Sequence, residues 1–180
     1  MKITSGLYKY RNIEIPKGIR PTTEKVREAI FSMIRDWIPE ATVLDLFAGS
    51  GALGLEVLSR GASKCIFNEI NRQNFKVLHS NISNCKADGN AVLLNFDYKT
   101  CLTKLDEKLD IVIMDPPYEE VQFYESAMKL LQDNNLLEEG SIVITEHVYD
   151  NKLSETYGKL TKIKEKKYGT IGVDVFEYQD

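Results

Sequence analysis

Histidine is nearly absent from the chain, which carries only His79 and His147, and cysteine is confined to Cys65, Cys85 and Cys101. There is no CxxC pair and no His/Cys spacing typical of a metal site, and an odd number of distant cysteines makes no disulfide framework. A structural zinc site, metal catalysis and a disulfide-stapled scaffold are therefore not expected; reduced thiols in a soluble cytoplasmic protein are. Long apolar runs are missing too. None approaches the length of a bilayer span, and the opening residues MKITSGLYKYRN lack the apolar segment of a signal peptide, so no membrane association is expected. No internal repeat or low-complexity tract is found. With 180 residues and 43% hydrophobic content, the chain suits one packed domain and is short for two.

Excess positive charge is also lacking: the formal net charge is −4. The distribution qualifies that sum. Residues 1–37 hold eight Lys/Arg against four Asp/Glu, residues 38–150 hold nine against eighteen, and residues 151–180 hold six against five. A basic N-terminal segment on an acidic body is compatible with a polyanion partner, and equally with a solvated basic surface.

Beyond residue 40, runs rich in Val, Ile and Leu alternate with amphipathic segments. Residues 41–47, 64–70, 91–96, 109–115 and 140–147 read as strands, with helices at about 51–60, 71–84, 98–104 and 121–135 between them. Continuously apolar strands are buried on both faces, and their alternation with helices predicts a doubly wound, mostly parallel α/β sheet, Rossmann-like in plan. KLTKIKEKKYG and IGVDVFEYQ alternate without a helix between them, which predicts an antiparallel C-terminal hairpin at the sheet edge. Before residue 40, KITSG and NIEI read as short strands. A helix from about Thr23 carries Val26, Ile30, Met33, Ile34 and Trp37 on one stripe and ends by Pro39. Residues 1–39 thus form a small β/α extension to a core at 40–180.

In such sheets, ligands sit at the carboxyl ends of the strands. The first strand ends in DLFAGSGALG, where Gly49, Gly51 and Gly54 satisfy G-x-G-x-x-G between strand and helix, the context for close backbone approach to a nucleotide. A tight turn with no ligand, or a nicotinamide site, remains open. Asp45 lies poorly for a pyrophosphate, which it would repel, and suits an amino-bearing ligand. No lysine follows the glycines, so a P-loop NTPase is excluded. Glu69, at the second strand end, stands where an acid accepts from both ribose hydroxyls of an adenosine moiety; a lone surface Glu is the alternative. Asp97, between Phe96 and Tyr98, either accepts from an adenine amine or caps a helix, and the two roles are compatible.

The fourth strand ends in IVIMDPPYEE. Pro116 and Pro117 lack backbone donors and force extended conformation on the residue before each, so the strand stops at Asp115 and continues as a rigid shelf with Tyr118 at its lip. Either Asp115 merely caps a turn, or its carboxylate and the proline carbonyls meet something flat.

DLFAGSGALGLEVLSRGA together with DPPY resembles a class I S-adenosylmethionine-dependent methyltransferase of the amino-methylating type, and RPTTEKVREAIFSMI resembles the RsmD family, over nearly the whole chain including the KKYG hairpin. That resemblance implies transfer of a methyl from S-adenosylmethionine to the exocyclic N2 amine of a guanine in 16S ribosomal RNA, alone or within a small subunit. It implies catalytic residues Asp115, Pro116, Pro117 and Tyr118, and cofactor contacts from Asp45, Phe47, Gly49, Gly51, Gly54, Glu69, Ile70, Asp97 and Tyr98. RNA contacts are expected from Lys9, Arg11, Arg20, Thr22, Lys25 and Arg27, with Glu146 facing the same cleft. The N-terminal SGLYKYRNI departs from the family, with Tyr10 where a glycine is common and a shortened stretch before Arg20. DPPY chemistry alone also permits a DNA adenine or cytosine, or a protein glutamine, as acceptor; a nicotinamide dehydrogenase and a non-catalytic RNA-binding module are the readings from other classes.

Overall fold

A computed structural model describes residues 1–180. Five parallel strands, β1 (Thr42–Asp45), β2 (Lys64–Asn68), β3 (Ala91–Leu94), β4 (Ile111–Met114) and β5 (Ile142–Val148), alternate with helices. The helices are α1 (Glu24–Met33) before β1, α2 (Ala52–Ser59) after it, α3 (Arg72–Asn84), α4 (Tyr98–Lys104) and α5 (Gln122–Asp133). Strands β6 (Thr156–Tyr157), β7 (Leu160–Tyr168) and β8 (Ile171–Tyr178) follow, giving one eight-stranded sheet in the order β3-β2-β1-β4-β5-β8-β7-β6. The chain reverses direction of winding beside β1, which pairs β2 on one edge and β4 on the other. That placement opens a crevice at the carboxyl ends of the parallel strands.

The expected doubly wound sheet and its antiparallel hairpin are present. Strand β8 inserts against β5 and runs antiparallel to it, leaving β7 outside, because Val173 and Val175 on one face and Phe176 on the other complete the two buried layers. One layer joins α1, α2 and α3 to the sheet through Phe31, Leu55, Leu78 and Phe67; the other joins α4 and α5 through Leu102, Met128, Leu131 and Leu44. No helix is long and apolar enough to cross a membrane.

The N-terminal strands expected at KITSG and NIEI reduce to a single antiparallel bridge between Lys2 and Asn12. The Ile3, Tyr10 and Ile13 N–H groups also join the two arms, and backbone groups between them find partners on α2. The carboxylate of Glu56 on α2 accepts from the backbone N–H of Thr4 and of Ser5, while Ser59 takes the N–H of Leu7 on its carbonyl and that of Tyr8 on its hydroxyl. Gly6, at φ +86°, lies so close to the Ser59 carbonyl that a Cβ would overlap it. Thr23 caps α1 by accepting from the Val26 N–H at 3.3 Å. The helix is shorter than expected: it ends at Met33 and tightens into a 3₁₀ turn over Arg35–Trp37 ahead of Pro39.

Candidate active site

The crevice is a cavity of about 700 Å³ along the carboxyl ends of the parallel strands. Of the residues expected to hold a cofactor, Phe47, Gly49, Glu69, Ile70, Asp97 and Tyr98 line it, as do all four shelf residues from Asp115 to Tyr118.

Glu69 is the best anchored. Its Oε1 accepts from the Gly49 N–H and its Oε2 from the Asn71 N–H, both at 2.9 Å, so the carboxylate joins the glycine loop to the start of α3. Each oxygen keeps further acceptor capacity for a ligand hydroxyl. Gly49 adopts φ +56°, within the left-handed region that favours glycine, and forms the cavity wall. Asp97 caps α4: Oδ1 accepts from the Thr100 N–H at 2.9 Å and Oδ2 from its hydroxyl at 2.7 Å, which hold the carboxyl below its usual range. It remains exposed at the rim, so capping and a further acceptor role coexist. Phe47, Tyr98 and Phe123 form an aromatic wall, with Phe47 and Phe123 stacked at 5.8 Å between ring centres.

Three of the expected cofactor residues do not reach the wall. Gly51 caps α2 at φ +83°, and a Cβ at Gly54 would overlap the Phe67 ring; both serve close helix-to-strand packing behind the loop. Asp45 is also set back. Its carboxylate, almost wholly buried, accepts from the Gly54 N–H at 3.1 Å. Burial pushes its carboxyl up to about 7, the Gly54 bond opposing this and the charge of Glu69 adding to it.

Because the folded Asp45 carboxyl holds its proton more tightly than the unfolded one, its contribution to stability is full below about pH 4 and is lost as pH rises through about 7. The variant D45N, which retains an acceptor for Gly54, is expected to lose less Tm than the parent between about pH 5 and about pH 8. Parallel curves from thermal melts would contradict this assignment.

At the shelf, parallel pairing of Met114 with Thr145 brings Asp115 and Glu146 level on adjacent strands. Glu146, 5% exposed, lines the cavity as expected; Thr22 donates its hydroxyl to Oε2 at 2.8 Å and Tyr118 donates to Oε1 at 3.1 Å. Tyr124 donates to the Glu146 carbonyl at 2.7 Å. Arg20 lies over the Tyr118 ring, 5.6 Å from its centre. Burial first, then the charges of Glu146 and Asp45, lifts the Asp115 carboxyl well above its ordinary range. Burial also raises that of Glu146, but the donors Thr22 and Tyr118 and the Arg20 charge oppose it. Of the two acids, Asp115 is therefore the harder to ionise.

The expected RNA contacts divide. Lys9, Arg11 and Lys25 are exposed away from the cavity, while Arg20 lies at its mouth. Thr22 is half-buried and bound to Glu146. Arg27 is buried where an exposed contact was expected: it is 3% exposed, donates to the Lys2 carbonyl at 3.0 Å, pairs with Glu56 at 3.5 Å and reaches the cavity wall from within. Its position on the inner, apolar stripe of α1 was the available signal.

Two residues with clear roles escaped sequence reasoning. Asn68 donates to the carbonyls of Leu46 and Phe96 and accepts from the Phe96 N–H, bracing three strand ends at the cavity floor. A polar residue closing an otherwise apolar strand was its only mark. Phe123 belongs to a helix whose orientation no sequence pattern fixes.

The family described as Conserved hypothetical protein 95 matches residues 1–177. Ribosomal RNA small subunit methyltransferase D of Escherichia coli (strain K12) is 33% identical over 179 residues, covering 98% of this chain and 89% of that one. The solved structure of Escherichia coli yhhF is 30% identical, with a TM-score of 0.90 over 100% of this chain and 98% of that one. An RNA methyltransferase from Salinibacter ruber, solved in complex with S-adenosyl-L-homocysteine, shares the fold at a TM-score of 0.69 and 13% identity, over 89% of this chain and 95% of that one. The chain thus belongs to the Conserved hypothetical protein 95 family, the RsmD family of ribosomal RNA methyltransferases.

Proposed function

We propose that the chain moves a methyl group from S-adenosylmethionine to the exocyclic N2 amine of a guanine in small-subunit (16S) ribosomal RNA. The observation that carries this reading is the Asp115-Pro116-Pro117-Tyr118 shelf, which shares one cavity with Glu69, Ile70 and Asp97. Residues at the first three strand ends fit an adenosyl ligand. Glu69 offers acceptors for ribose hydroxyls, Phe47, Ile70 and Tyr98 offer apolar surface for a base, Gly49 allows backbone approach, and Asp97 can accept from an amine at the rim. When bound, the cofactor supplies a methyl on a positively charged sulfur.

The chain's own residues must then make a poor nucleophile reactive. The guanine N2 lone pair is delocalised into the ring. Asp115 and the Pro116 carbonyl each accept one N–H, which draws the nitrogen toward tetrahedral geometry and turns its lone pair toward the methyl. Pro117 stiffens the shelf, and Tyr118 covers the flipped base, an interaction worth roughly 1 to 3 kcal/mol whatever the base. The nitrogen sheds its proton to water or to the Asp115 carboxylate once the new bond exists, so Asp115 orients the amine and need not be a strong base. Placing nitrogen and methyl in line supplies much of the rate.

In this reading residues 1–39 face the RNA and residues 40–180 hold cofactor and chemistry, in a cytoplasmic enzyme with no metal. Arg20, Lys9, Arg11 and Lys25 are the backbone contacts proposed to position the substrate, either naked RNA or a small subunit.

Transfer of labelled methyl to small subunits from cells lacking the modification tests the substrate class. Label confined to protein, or to DNA offered in a parallel reaction, would favour the other acceptors of this chemistry; nicotinamide dinucleotide binding without S-adenosylmethionine binding in calorimetry would overturn the reading. Glu69→Ala is expected to weaken S-adenosylmethionine binding by at least about tenfold, the loss of one good charge-assisted hydrogen bond. Unchanged affinity in the same titration would refute its ribose role.

A further inference from the structure

A carboxylate pair at the shelf is one acid more than gripping an amine requires. Tyr118 and Thr22 converge on Glu146, on the strand beside Asp115, with Arg20 over the Tyr118 ring, and this second acid has no part in holding N2. The two side chains stand level on strands β4 and β5, which are spaced about 4.8 Å apart in a sheet. Both line the cavity that contains the shelf. Tyr118 and Thr22 engage separate oxygens of Glu146, which fixes the plane of the carboxylate and leaves each oxygen with a further acceptor position.

The bases that could present an exocyclic amine to Asp115 differ at the neighbouring ring nitrogen. In guanine the position beside N2 is N1–H, a donor. In adenine and cytosine the nitrogen beside the amine carries a lone pair. An acceptor-only side chain next to the one that holds the amine matches the first and repels the others.

We propose that Glu146 accepts the N1–H of the target base and so makes the cavity select guanine, a specificity-determining role that rests on the methyl-transfer reading above. Tyr118 and Thr22 are then positioning residues for Glu146. The donors Thr22 and Tyr118, and after them the Arg20 charge, favour the Glu146 carboxylate over its acid, while Asp115, the harder of the two to ionise, releases its proton to water as the base's N–H groups take its place. Tyr118 stacking holds any base; the paired acceptors choose among them.

The test places guanosine or 2-aminopurine at the methylated position of the small-subunit RNA. 2-Aminopurine keeps the C2 amine but has a lone pair at N1. Wild type is expected to prefer guanosine by at least about 100-fold in kcat/KM, as for a site whose buried polar group is left mispaired. E146Q offers N1 a donor as well as an acceptor, and the hydroxyls of Thr22 and Tyr118 can each accept or donate, so the variant should narrow that preference at least about tenfold. The two bases also differ at C6, but equally for both enzymes, so the change in ratio reports Glu146. Equal losses on both substrates, leaving the ratio unmoved, would show a merely structural Glu146 and overturn the proposal. Should E146Q fail to fold, the wild-type ratio decides, and a value near one overturns it. Absence of N2 product on the guanosine RNA would instead bring down the parent reading.

Discussion

Asp115→Ala is expected to lower the rate of methyl transfer by about 10²- to 10³-fold, the usual loss when one preorganised polar contact to a reacting group is removed, while S-adenosylmethionine affinity changes little. The split follows from position. Asp115 lies just past the end of β4, beyond β1 from the Glu69 anchor just past β2, and Glu69 has its own partners in Gly49 and Asn71. Losing the Asp115 side chain removes an acceptor for the amine and disturbs none of those bonds. Asp115→Asn, which keeps one acceptor oxygen, should fall between the parent and the alanine variant. Single-turnover transfer and calorimetric cofactor binding on the same preparations check this; full activity in Asp115→Ala would discard the hydrogen-bond role.

Glu56→Ala is expected to have the largest effect on stability, at about 3 to 5 kcal/mol, as for removal of one partner from a buried ion pair. Glu56 is completely buried in the middle of α2, and five groups converge on it. These are the Thr4 N–H and hydroxyl, the Ser5 N–H, the Arg27 guanidinium and the Arg60 guanidinium at 3.1 Å. Without Glu56, Arg27 is left as an uncompensated buried cation whose Nε already lacks a partner. The N-terminal turn would also lose its main tether to α2. Urea unfolding should give a lower midpoint, with early hydrogen exchange at residues 1–11. A loss under about 1 kcal/mol would mean that Thr4, Ser5 and Arg27 find other partners without cost.

What could be read from the sequence, and what could not, follows from how far apart the interacting residues lie. Strand and helix positions from residue 41 onward depend on apolar period and on local punctuation by Gly49, Gly51, Pro116 and Gly169, and these are properties of short windows. The doubly wound plan and the terminal hairpin were legible for that reason. Strands ahead of residue 20 were not legible as a turn, because Thr4, Ser5, Leu7 and Tyr8 bond to Glu56 and Ser59, more than fifty positions away. The same distance effect explains Arg27. Its charge suggested a surface, while the acid that buries it sits on another helix. Asp45, two residues from the expected strand end and four before Gly49, was expected at a ligand; the pleat turns it under the loop, onto Gly54. Glu146 could be placed at a strand end, but its partners Thr22 and Tyr118 emerge only when β4, β5 and the N-terminal segment meet.

The central claim is that this cavity delivers a methyl to N2 of guanine, and it is tested most directly by the identity of the product nucleoside. Small subunits lacking the modification are incubated with the protein and labelled S-adenosylmethionine, and the RNA is digested and resolved. The account predicts label in N2-methylguanosine alone; label in N6-methyladenosine, N4-methylcytidine or any other nucleoside would contradict it.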